Sequence, residues 1–129
     1  MKTLKLSLLF AVALLLSCKK KSSDDTTLAK PVVYNAKVVV CGVNNPFVNI
    51  PWLSEFYKML SGAPETNAIV LYSYEGKEVI ELQSWLFSSM YYHEYYCDGS
   101  RIALANNTEL NDFLSKRKEV AVLFGRKIR

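Results

Sequence analysis

The chain has 129 residues, half of them hydrophobic, and a formal net charge of +4, which suits one domain and is too short for two ordinary ones. Six of the sixteen basic residues and two of the twelve acids fall before residue 31, so positions 31–129 carry ten of each. A domain without net charge has no overall field to draw in nucleic acid, and composition speaks against that class of partner.

Lys2 and Lys5 precede an apolar run, Leu6 to Leu16, with the length of a signal-peptide core and short of the roughly twenty residues that cross a bilayer. The run ends in Leu15-Leu16-Ser17-Cys18, which resembles the bacterial lipobox. That resemblance implies that residues 1–17 are a cleaved leader and that the Cys18 sulfur carries diacylglycerol. It also implies that the new amino terminus is acylated, with palmitate as a usual group, so that the membrane is the first partner through Cys18. Each acyl methylene buried in lipid contributes about 0.8 kcal/mol, so two or three chains hold a protein on a membrane without a spanning helix. Residues 18–30 then read as the lipidated Cys and a solvated tether, because Lys19 to Thr27 has no apolar group and no hydrophobic period. The run Ser23-Asp24-Asp25 resembles the export signal of Bacteroides-type surface lipoproteins, which implies the outer face of the outer membrane.

Lipidation of Cys18 leaves Cys41 and Cys97 as a pair in an oxidising compartment. Closing a loop of about 57 residues stabilises a fold by about 4 kcal/mol on the chain-entropy model. Two free thiols are the alternative. A metal reading joins Cys97 to His93 and Cys41, yet one His without a Cys-x-x-Cys leaves the site short of ligands, so neither metal nor other cofactor is expected.

Residues 31–129 read as a single α+β domain. The Val-rich stretch Pro31 to Val40 predicts a first strand, ended by Gly42 and the turn signal Asn44-Asn45-Pro46. A helix follows, capped by Asn49 or Ile50, with Pro51 in its first turn, Leu53, Phe56, Tyr57 and Leu60 on one stripe, and Ser61-Gly62 as its stop. A turn at Glu75-Gly76 predicts a hairpin pairing Tyr72 with Val79 and Leu71 with Ile80, which puts Ile69, Leu71, Ile80 and Leu82 on the core side. A two-residue turn at Asp98-Gly99 pairs Tyr95 with Ile102 and His93 with Leu104, placing Tyr91, His93, Tyr95, Cys97, Ile102 and Leu104 inward; a bulge in either hairpin inverts these faces. The second helix begins near Thr108, with Asn107 or Thr108 as its cap, Glu109 in its first turn, Leu110, Phe113 and Leu114 on its stripe and Lys116, Arg117 and Lys118 at its end. Glu119 to Phe124 predicts a last strand. The sum is a mainly antiparallel sheet of five to six strands, with a central four-strand meander and two helices packed on one face.

The segments Cys41-Gly42-Val43-Asn44-Asn45-Pro46, Pro51-Trp52-Leu53, Tyr74 to Val79 and Cys97-Asp98-Gly99 resemble a group of small Bacteroides-type lipoproteins of unknown function. The resemblance implies a shared fold and location and brings no catalytic residue with it.

The chemistry-bearing inventory is thin. His93 is the single histidine, and no Gly-x-Ser-x-Gly, phosphate loop or zinc spacing is present. A Cys97–His93 nucleophilic pair fails on distance, since i and i+4 along a strand are about 13 Å apart. Glu78 and Glu81 fall on opposite faces, and no enzymatic activity is expected. The informative feature is a sheet face carrying Tyr72, Tyr74, Tyr92 and Tyr96 beside Glu94 and Arg101, a mix that protein partners or glycans use, with protein ahead because interfaces favour Tyr and Arg. The alternative is that these aromatics are good strand formers, pairing across strands or covered by the tail or the first strand. Trp85, in Trp85-Leu86-Phe87, reads as an exposed loop tip. These features predict a lipid-anchored, non-catalytic binding module, or else a glycan-binding surface lipoprotein.

Overall fold

In a computed structural model the described residues are 30–89 and 93–129. The elements in chain order are α1 (Pro46–Asn49), α2 (Pro51–Leu60), β1 (Asn67–Tyr74), β2 (Lys77–Ser84), β3 (Glu94–Tyr96), α3 (Asn107–Lys116) and β4 (Lys118–Gly125). The four strands form one antiparallel sheet in the order β3-β2-β1-β4. Among the described residues no helix is long and apolar enough to cross a membrane.

The α+β class and the antiparallel sheet agree with the expectation from sequence, and so does the first hairpin. Glu75 and Gly76 both take positive φ, the requirement of a tight two-residue turn, and the strands pair Tyr72 with Val79 and Leu71 with Ile80. Ile69, Leu71, Ile80 and Leu82 then bury against Leu53 and Leu60 of α2.

Four details differ from the expectation. The first concerns residues 31–40, which form no strand: they meet the β4 edge at Val32 and through the Asn35 amide, then turn at residues 36–37, leaving Val33 and Val39 exposed. Valines raise strand propensity, but propensity without a ladder partner does not make a strand. Just beyond them, Asn44-Asn45-Pro46 opens α1 instead of a turn, with Asn45 left-handed and Pro46 supplying the fixed φ of a first helical turn.

A second difference is the hairpin after β3. Tyr96 accepts from the Gly99 amide, its own amide donates to Ser100, and the Asp98 carboxylate accepts from the Ser100 amide and hydroxyl. Cys97, Asp98 and left-handed Gly99 therefore fill a three-residue turn, and Tyr95 faces Arg101 rather than Ile102. This one-residue slip inverts the returning segment, so Tyr95 stays with the α2 side while Ile102 and Leu104 go to the other face. The segment makes an isolated bridge rather than a fourth meander strand.

Third, the helices lie on opposite faces of the sheet. Phe113 of α3 buries with Ala68, Val70, Tyr72 and Val79, the side opposite Leu53 and Leu60. A sheet with only one apolar face would alternate along its central strand, whereas Asn67 to Tyr72 is buried without a break. Finally, α3 starts one residue early: the Asn106 side chain accepts from the Glu109 amide while Glu109 reaches back to the Ala105 amide.

Cys41 and Cys97 are joined by a disulfide with Cα atoms 5.6 Å apart, tying the segment before α1 to the turn after β3. Trp52 seals that joint, donating from its indole to the Cys97 carbonyl at 3.1 Å and packing under Gly99, where an added Cβ would come within 3.0 Å of the ring. We expect the double variant Cys41→Ser/Cys97→Ser to lose about 2–4 kcal/mol in urea unfolding. A loss below about 0.5 kcal/mol, the scatter of an ordinary surface substitution, would show the joint to be incidental.

Candidate functional site

The face shared by β1, β2 and α3 carries Tyr72, Tyr74, Glu94 and Tyr96 of the residues singled out from sequence, and its centre is covered. At its centre Glu81 is fully buried. Its carboxylate accepts from Arg117, just past α3, at 3.0 Å, from Arg129 Nε at 2.9 Å and from Gln83 Nε2 at 2.9 Å, and Arg129 Nη2 lies 2.7 Å from it as an ion-pair contact. Gln83 in turn accepts from the Ile128 amide at 2.7 Å, so the last residues are laid along the sheet. The Arg117 guanidinium stacks 4.2 Å from the Tyr72 ring centre and the Lys127 ammonium lies 5.9 Å from it, while Lys127 also pairs with Glu119. Burial first, then the charge of the adjacent Glu81 carboxylate, pushes the Tyr72 phenol well above its ordinary range.

The expectation of an open tyrosine face is therefore corrected, because α3 and the basic tail lie over it. Tyr72 and Glu94 are buried, Glu94 directly across the ladder from Glu81, and Tyr74 packs edge-on against Phe113. Two carboxylates side by side at the bottom of a sheet need positive charge, and Arg117 and Arg129 supply it around Glu81. Arg101 lies on the other face, its guanidinium 5.7 Å from the Tyr95 ring, as the slipped turn requires. Tyr92 lies outside the described residues.

Of the expected residues, Arg101 and Trp85 are exposed, and Tyr74 and Tyr96 are half-buried. Tyr96 stands between two recesses. One, of about 450 Å³, is lined by Lys77, Glu78, Cys97 and Asp98; the other, of about 370 Å³, by Tyr74, Glu75, Leu104, Glu109 and Asp112 among others. The Lys77 ammonium sits 5.3 Å from the Tyr96 ring. Carboxylates outnumber ammonium groups here, and the Ser100 hydrogen bonds hold the Asp98 carboxyl below its usual value. Trp85, at the opposite end of β2, is 73% exposed and its neighbour Leu86 is 91% exposed, as the sequence suggested for this loop tip.

The groups weighed for metal or nucleophilic chemistry are held apart. Cys97 is oxidised, and His93 stacks on Phe87 with ring centres 3.9 Å apart. Burial, then the nearby Arg101 and Arg129, lowers the His93 imidazole below its ordinary value. Cys41, Glu78 and Cys97 bring three donor atoms within 4.8 Å of one another, but both sulfurs are spent in the disulfide and Glu78 accepts from the Cys41 amide at 2.7 Å.

The buried cluster of Glu81, Arg117 and Arg129 escaped the sequence reading. Glu81 and Gln83 alternate with Ile80 and Leu82 in β2, the pattern of a strand with one solvent-facing side, so nothing local marked them as buried. Compared with known proteins, the chain matches no family model, no curated protein and no solved structure.

Glu81→Ala leaves two largely buried arginines without their anion and is expected to cost about 3–5 kcal/mol. Glu55→Ala, which breaks the exposed pair with Lys58, should cost at most about 1 kcal/mol in the same urea titration. Equal effects for the two would contradict the role given to Glu81.

Proposed function

We propose that the protein is a lipid-anchored envelope protein, tethered to the outer membrane through Cys18, whose domain is a non-catalytic binding module. The observation that carries the binding reading is Tyr96, a half-exposed ring between two recesses with acids on both sides. Tyr74 on one flank and Lys77 on the other extend this surface. Aromatic area ringed by carboxylates suits a protein segment bearing Lys or Arg, which can lay its apolar stem on the ring and its cation among Glu75, Asp98 and Glu109. A glycan is the second reading, favoured by the same half-exposed ring beside acceptors.

The leader, Cys18 and the polar tether support the anchor. They leave the domain on the far side of residue 30, where it meets other envelope components. The surface placement belongs to the same proposal and rests on Ser23-Asp24-Asp25.

Tagged protein captured from detergent-solubilised native envelopes is expected to bring down a stoichiometric protein partner. Tyr96→Ser should weaken that capture about tenfold, equivalent to about 1.4 kcal/mol, with Tyr96→Phe retaining most of it. Capture unchanged by Tyr96→Ser would move the site elsewhere. A partnerless protein whose melting temperature rises with oligosaccharides would favour the glycan.

A further inference from the structure

The end of the sheet where the chain enters from the tether is also the end that exposes Trp85 and Leu86. The Trp85 amide donates to Thr66, beside Asn67, which pairs with Ser84. The Arg126 amide donates to Asn67, and Gly125 bridges to Val32. Trp85, Thr66, Arg126 and Val32 are thus successive neighbours across one end of the sheet, and at strand spacing Trp85 lies about 15 Å from Val32. Lys30, two residues before Val32, is therefore at this end as well. Val33 is 71% exposed here, alongside Trp85 and Leu86. The hairpin turns at Glu75-Gly76 and at Cys97 to Gly99, with Tyr96, lie at the other end of β2, roughly 20 Å away.

Eleven residues lie between Cys18 and Lys30, and the twelve steps from one to the other span at most about 40 Å. An acyl group on Cys18 thus keeps this end within a domain's width of the bilayer. We infer that Trp85 and Leu86 insert into the boundary between headgroups and acyl chains of the bilayer that carries the anchor, docking the domain with Tyr96 facing away from the membrane. This rests on the anchor reading of Cys18. A Trp and a Leu on an exposed tip are the side chains that settle at this boundary. Because the tether already confines the domain, contact with the membrane becomes an intramolecular event, and two apolar side chains are enough to bias its orientation. The bilayer is preferred over a second copy of the chain because the connection to Cys18 enters at the same end of the sheet as the tip.

The test uses the mature protein that begins at Cys18, purified from its native membranes, in vesicles of phosphatidylethanolamine and phosphatidylglycerol with acyl chains brominated close to the headgroup. The protein should float with the vesicles, the Cys18→Ala form made without residues 1–17 should not, and bromination should lower tryptophan emission about twofold. Trp85→Phe should float equally and lose the bromine effect, because Trp52 packs under Gly99 at the far end. Flotation without quenching would overturn the docking and leave the anchor standing, and dimers in detergent in that case would assign the tip to a second copy. Failure of the wild-type protein to float would overturn anchor and docking together.

Discussion

A carboxylate with no exposure sits in the middle of this sheet, and the arrangement on that side of the molecule follows from neutralising it. Glu81 points from β2 into the layer beneath α3, where an unpaired anion would be prohibitive. Arg117, the first residue beyond α3, folds inward to meet it instead of joining Lys116 and Lys118 in solvent. Arg129 meets its other oxygen and brings the last residues across Gln83. One buried charge therefore sets where α3 ends, where the tail runs, and which tyrosines are covered. The other face is conventional by contrast, with α2 laying Leu53 and Leu60 onto Ile69, Leu71, Ile80 and Leu82.

What could be read in the sequence was local. The Glu75-Gly76 turn specified its register because only a tight turn with two positive φ values joins those strands, and the α2 stripe was plain from its spacing. The disulfide was legible from counting cysteines and from the compartment that a leader implies. The second hairpin was misread by one residue because Asp98-Gly99 fits both a two-residue and a three-residue turn. The hydrogen bonds of Asp98 to Ser100 select the longer one. The placement of α3 on the second face was available in the unbroken apolar run Ala68 to Tyr72, which marks a strand covered on both sides. The Glu81 contacts were not legible, since Arg117 and Arg129 lie 36 and 48 residues away and nothing local distinguishes them from other surface cations.

Closing the tyrosine face redistributes the candidate surfaces rather than removing them. Tyr72 and Glu94 become structural, while Tyr96 and Trp85 remain available at opposite ends of β2. Under the proposed reading, the end with Trp85 belongs to the membrane and the end with Tyr96 to a partner. The disulfide stands at the Tyr96 end, where Cys97 is part of the turn itself. A cross-link there holds the recess walls in place without demanding a larger core from a domain of this size.

Tyrosine reactivity shows directly whether α3 and the basic tail seal one face of the sheet. In hydroxyl-radical footprinting of the folded protein, read by mass spectrometry, we expect ready oxidation of Trp85 and Tyr96 with Tyr72 largely spared. Oxidation of Tyr72 as fast as Tyr96 would mean that the face is open, and would contradict the account built on Glu81.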